Sequence, residues 1–294
     1  MFKKILLATS AVHACDNAAK AAFRLADFAN AHITVFHVAG IPPRGFSQEA
    51  IDVKTGAKVE ISKEYTSWVK EEIKIYYERQ LKKVKSFDIK IVAGMPYREI
   101  LREVKDGTYD LVTLGGTSKE KFSAYQKHMI GSTILRVAQV ANIPVMVLCR
   151  PSPSFLKNIS GILFCTDFSK ASDAAFDFTV NLANFLNCKL NIFNVVDISP
   201  VFSKAIINQE EIEEKMLEAY KNINAKYIQK DRNTIKASAH VCEGIPYVEI
   251  IKYAREKDFS LIVMAHHNKE DKGFGSNMEQ IIIRSGSPVI SLNR

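Results

Sequence analysis

At 294 residues the chain is too long for one small core and suits two domains of about 150 residues each. Its 47% hydrophobic and 24% charged residues exclude a disordered chain, and no apolar run reaches the ~18 residues of a membrane helix. The formal charge of +8 comes largely from lysines interleaved with glutamate, as in Lys63 to Lys85 and Lys215 to Lys230, which reads as a solvated helix face and not a nucleic-acid site.

The opening MFKKILLATSAVHAC mimics a lipoprotein signal, but the same pattern recurs internally in KNISGILFCTDFSKASD, so Lys3 to Thr9 reads as a strand buried on both faces. Asp16 and Asn17 offer a helix N-cap, followed by the apolar stripe Ala18, Ala19, Ala22, Phe23, Leu25, Ala26 and Ala29. His32 to Val38 is a second strand, ended by the prolines and glycine of IPPRGFSQ. From Ile61 to Val84 apolar residues recur at three and four, predicting one long amphipathic helix whose aromatics pack in the core. DIKIVAG is a third strand, and Pro96 opens a helix through Val104. DLVTLGG is a fourth strand, Gly131 to Val140 a helix, and Pro144 to Cys149 the last strand.

RPSPSFLKN, residues 150–158, reads as a linker, after which the pattern restarts. GILFCTD repeats KILLATS, and KLNIFNVV repeats HITVFHVA, at an offset of 157 residues; EGIPYVEII repeats AGMPYREIL at 150; GSNMEQIIIRSGSPVISL repeats GSTILRVAQVANIPVMVL at 144. The domains are therefore 1–149 and 159–294. Strands alternating with helices predict a parallel sheet, with function at the carboxyl ends of its strands.

Together, ILFCTDFSKASDAAFDF, the G-x-P helix openings at Gly94 and Gly244, and the Gly-Ser helix followed by a Pro-led final strand in both halves resemble a tandem universal stress protein. The resemblance covers nearly the whole chain. It implies an α/β fold of two tandem doubly wound domains, each a five-stranded parallel sheet of order 3-2-1-4-5 with helices on both faces. It also implies pairing through the last strands, which a tandem chain can make within itself, and permits a homodimer.

Some members of that family bind ATP through a G-x2-G-x9-G-(S/T) loop, an Asp ending the first strand, and backbone near the end of the second. Glycines let backbone approach phosphate, and a hydroxyl at a helix N-terminus adds a donor. By this resemblance the first-half candidates are Val38, Gly115, Ser118, Gly131 and Ser132. Ser118 replaces the second glycine, twelve residues separate it from Gly131, and Ser10 stands at the acidic position. The second-half candidates are Val195, Asp167, Asn268, Gly275 and Ser276. There Ala265 replaces the first glycine and six residues lie between Asn268 and Gly275, a loop short for a triphosphate.

Five cysteines (Cys15, Cys149, Cys165, Cys188 and Cys242) with no C-x-x-C spacing fit reduced thiols in a cytoplasmic protein. Cys165, His266 and His267, with Cys242, carry zinc-type donor chemistry without regular ligand spacing. Ser10, His13 and Asp16 are neighbours in sequence, which by itself makes no catalytic triad. The expectation is a cytoplasmic, non-catalytic stress-response module that binds a small ligand such as ATP (with Mg) or AMP and signals through protein partners, with no nucleic acid or membrane involved. The alternatives are an interaction scaffold that binds no nucleotide, and a weak ATP hydrolase or zinc protein.

Overall fold

The structure is a computed structural model describing residues 1–40, 49–51, 58–116, 133–152, 155, 158–198, 208–229, 236–266 and 277–293. The chain divides into two compact units, Phe2–Arg150 and Pro151–Arg294.

The first unit runs β1 (Lys4–Ala8), a 3-10 turn (His13–Cys15), α1 (Asp16–Ala29), β2 (His32–Gly40), β3 (Glu49–Ile51), β4 (Lys58–Glu60), α2 (Lys63–Tyr76), α3 (Glu78–Leu81), β5 (Phe87–Gly94), α4 (Pro96–Asp106), β6 (Leu111–Gly115), α5 (133–140) and β7 (Val145–Leu148). Five strands pair in parallel in the order β5-β2-β1-β6-β7, which is 3-2-1-4-5. Right-handed crossovers place α1 and α2 on one face and α4 and α5 on the other. The central strands are buried on both faces, with Ile5, Leu6, Leu7, Leu111 and Val112 inaccessible to solvent. Continuous apolar runs form such strands because neither face sees water. The sequence reading did not anticipate β3 and β4, an antiparallel pair attached to the end of β2 through Gly40 and Ile51.

The second unit runs β8 (Gly161–Cys165), α6 (Lys170–Leu186), β9 (Lys189–Asp197), α7 (Gln209–Ile223), a π turn (Asn224–Ile228), β10 (Ala237–Gly244), α8 (Pro246–Glu256), β11 (Leu261–His266), α9 (Asn277–Arg284) and β12 (Val289–Asn293). Its strands pair in parallel as β10-β9-β8-β11-β12, again 3-2-1-4-5. Pro96 and Pro246 stand at the first turns of α4 and α8, where a missing N–H costs nothing. Gly244 before the second of these has φ +145, and a Cβ there would stand 2.6 Å from Glu249 Cγ.

Two local expectations are corrected. The predicted helix from Ile61 to Val84 is two helices, broken at Tyr77, whose backbone leaves helical geometry (φ −104, ψ 15). The equivalent Tyr227 lies in the π turn. Both distortions re-phase the helix so that one tyrosine points into the core, with Tyr77 1% and Tyr227 2% exposed. The aromatics of this segment are not all core, for Trp68 is 53% and Tyr76 39% exposed. Nor do Asp16 and Asn17 cap α1. The cap position is Cys15, with no side-chain bond, because the 3-10 turn has moved the helix start and Asp16 is engaged elsewhere. In the second unit Ser169 does cap α6, accepting from Ser172 N–H at 3.2 Å.

Candidate functional site

Strand order reverses between β1 and β6, and between β8 and β11, so each unit opens a crevice at the carboxyl ends of those strands. The turn that follows the first strand is built alike in both. Thr9 N–H donates to Phe36 O (2.9 Å) and Thr166 N–H to Phe193 O (3.0 Å). Each threonine hydroxyl then accepts from the backbone two residues on, Ala11 or Phe168, at 3.0 Å. Those two residues are left-handed, with φ 50 and 61. The same hydroxyls meet Tyr77 (2.8 Å) and Tyr227 (3.0 Å). The threonine carbonyls accept from His37 Nδ1 (3.0 Å) and Asn194 Nδ2 (2.8 Å). The sequence reading missed this buried scaffold, although Thr9 and Thr166 share the 157 offset and Tyr77 and Tyr227 the 150 offset.

On this common frame the units differ in chemistry. In the second, Asp167 Oδ1 accepts from Ser169 N–H (3.0 Å) and Ser172 Oγ–H (2.6 Å), and Asp173 receives Tyr227 O–H (2.6 Å) and Lys226 Nζ (3.0 Å). In the first, Ser10 and Cys15 occupy the positions of Asp167 and Ser172, with Ser10 Oγ and Cys15 Sγ 3.4 Å apart. Asp16, at the position of Asp173, binds Tyr76 O–H (2.7 Å) and His13 Nδ1 (2.8 Å). Burial and then Asp16 push the Tyr76 hydroxyl up to about 12, so it stays a donor at neutral pH. Ser10 therefore meets Cys15, while His13 lies 95% exposed on Asp16. The sequence neighbours Ser10, His13 and Asp16 are sent to different partners.

Partial burial raises the Asp167 pKa, but the donors Ser169 and Ser172 outweigh it and hold the carboxyl below its ordinary value. A depressed folded value means a stability contribution that is complete above the unfolded pKa near 3.9 and lost as pH falls through the folded value. Asp167→Asn is expected to flatten the fall in stability below about pH 4. Urea unfolding across that range checks this, and an unchanged acid limb would refute it.

Val38 and Val195 lie half-buried near the ends of β2 and β9. Gly115 ends β6, where a Cβ would meet Ala18 Cβ at 2.5 Å and Cys15 Cα at 3.3 Å. Helix packing alone therefore accounts for that glycine. Ser118, Gly131, Ser132, His267, Asn268, Gly275 and Ser276 lie outside the described residues. For zinc chemistry, Cys165 is buried and its thiol is pushed up by that burial, opposing the thiolate a metal needs. His266 ends β11. Among the described residues no three His, Cys, Asp or Glu side chains are grouped to hold a metal, and no helix is long and apolar enough to cross a membrane. All five cysteines are free thiols.

A family model described as "Universal stress protein family" matches residues 1–148 and again 159–292. The chain belongs to the universal stress protein family. Among its relatives, universal stress protein MJ0577 of Methanocaldococcus jannaschii is 24% identical over 153 residues, 45% of this chain and 94% of that protein. MJ0531 of the same organism is 27% identical over 138 residues, 45% of this chain and 81% of that protein. Among solved structures, a universal stress protein from Archaeoglobus fulgidus covers 99% of this chain and 96% of its own at TM-score 0.69 and 19% identity, a likeness of fold. In this universal stress protein the two units thus share one frame and carry different side chains at the crevice.

Proposed function

We propose that this universal stress protein is a non-catalytic cytoplasmic sensor whose second unit binds an adenine nucleotide, ATP with Mg or AMP, and signals through protein partners. The observation that carries the reading is Asp167. Its Oδ1 is pinned by Ser169 and Ser172, and the residue stays exposed at the end of β8. A carboxylate oriented in this way at the switch point suits a ribose hydroxyl. Val195 supplies neighbouring strand backbone, and Asn268, Gly275 and Ser276 complete the candidate set. In the first unit Val38, Gly115, Ser118, Gly131 and Ser132 form the corresponding set, with Ser10 in place of the carboxylate.

Calorimetric titration of the full chain with ATP–Mg and with AMP tests the reading. Wild type is expected to bind one of them, and Asp167→Ala to bind it at least severalfold more weakly. Unchanged affinity in the variant would reduce Asp167 to a turn residue. Silence in wild type at millimolar nucleotide would replace the sensor with an interaction scaffold. That second reading is favoured by Trp68 and Ile75, 53% and 69% exposed on α2.

A further inference from the structure

Two arginines of the first unit converge on one tyrosine. Tyr97 and Arg98 stand in the first turn of α4, and Arg136 in the first described turn of α5. Arg98 Nε donates to Tyr97 Oη at 3.1 Å, and the guanidinium carbons of Arg98 and Arg136 lie 5.8 and 4.6 Å from the centre of the tyrosine ring. Donation by Arg98 above all, with the charge of Arg136 adding to it, holds the Tyr97 pKa below its ordinary value, so the phenol oxygen sits in a positive field. Among the described residues no carboxylate pairs with either guanidinium, and the acid of that turn, Glu99, is taken by Arg102 at 2.6 Å. Helix first turns favour acidic side chains, because their free N–H groups already carry partial positive charge. Two guanidiniums at two such positions repel each other and both helix ends, a local cost that no described group offsets. The second unit keeps the tyrosine without the pair. By the repeat offsets the equivalents of Tyr97, Arg98 and Arg136 are Tyr247, Val248 and Gln280. The guanidinium near Tyr247 is that of Arg284, 5.6 Å from the ring and bonded to Gln280 at 2.8 Å. Covering the ring thus takes one arginine, which leaves the second in the first unit without a packing role.

We propose that Arg98, Arg136 and the Tyr97 hydroxyl form a binding site for a phosphate or diphosphate group on the α4–α5 face of the first unit. The donor set fits that chemistry. Arg98 spends Nε on the phenol and keeps its two terminal nitrogens, and the phenol, whose oxygen accepts from Arg98, keeps its hydrogen to donate. A phosphate presents only acceptor oxygens, and a guanidinium fork matches two of them at once. Both arginines are exposed, so they can turn from the ring to an arriving anion while the half-buried tyrosine holds them together. The anion would replace two unanswered charges by charge-assisted hydrogen bonds and tie the start of α4 to that of α5. This site lies in the first unit and stands apart from the reading of Asp167 in the second.

Equilibrium dialysis of the full chain against radiolabelled inorganic pyrophosphate at low ionic strength tests the site. Wild type is expected to bind, and to bind more weakly as salt is added. R98V and R136Q install the residues that the second unit carries, at exposed positions that leave the core untouched. Each should weaken binding about fivefold, the upper value for an exposed charge pair, and the double variant should abolish it. Asp167→Ala should leave pyrophosphate binding unchanged, so failure of this site and failure of the nucleotide reading are told apart. Unlabelled ATP names the source of the phosphate. Displacement of pyrophosphate means that the site accepts the tail of a nucleotide, and no displacement means a free phosphate or diphosphate; both uphold the site. The proposal is overturned if wild type retains no label at millimolar pyrophosphate, or if the double variant binds as wild type does. Loss of binding in Asp167→Ala alone would overturn it too, by placing the anion in the second unit.

Discussion

Gly115→Val should destabilise the first unit by about 3 kcal/mol, near the upper end for overpacking against fixed backbone. The position faces α1 at its closest approach to the sheet, with Ala18 Cβ 2.5 Å and Cys15 Cα 3.3 Å from where the new Cβ must stand. Neither obstacle is the flexible end of a side chain, so α1 must lift from β6. For a unit of this size that is a fall of roughly 6–12 °C in Tm, readable by calorimetry. An unchanged Tm would show that α1 gives way freely. Because this loss is structural, Gly115→Val cannot report on ligand binding. A cycle makes the cause specific. Gly115→Ala alone should cost about 1–2 kcal/mol and Ala18→Gly about 1 kcal/mol in helix propensity. The double variant should cost less than the two together, since Ala18→Gly removes the atom struck. Strict additivity would mean that the close approach to Ala18 is not the source of the cost.

Tyr77→Ala should cost about 4 kcal/mol, as expected for truncating a fully buried aromatic. The ring is 1% exposed, 5.5 Å from Phe23 and 5.0 Å from Tyr76, and its hydroxyl reaches Thr9 at 2.8 Å. Tyr77→Phe keeps the ring and loses that one bond, for about 1 kcal/mol. The difference between the two variants in chemical denaturation separates packing from hydrogen bonding. Equal costs would mean that the threonine–tyrosine bond, and not the ring, holds the turn after β1.

Much of the architecture was readable in the chain because it repeats. Apolar runs such as KILLA and GILFC mark strands buried on both faces, and the offsets of 157, 150 and 144 align one unit with the other. The break at Tyr77 was not readable, since periodicity counts apolar positions and cannot tell a continuous helix from one re-phased by a residue. The β3–β4 pair was missed because two three-residue strands give too short a pattern to stand out from a loop. Of the candidate site, Asp167 was visible as an acidic residue ending a strand. Its hydrogen bonds to Ser169 and Ser172 were not, because they depend on the left-handed turn at Phe168.

The sequence by itself determined the two-unit α/β organisation, since hydrophobic periodicity and repetition are local properties of the chain. Only the tertiary structure decided what Gly115 is for and which partners Ser10 and Asp16 take. Those depend on how closely α1 approaches β6 and on the turn of α2, distances between residues 60 to 100 positions apart in the chain.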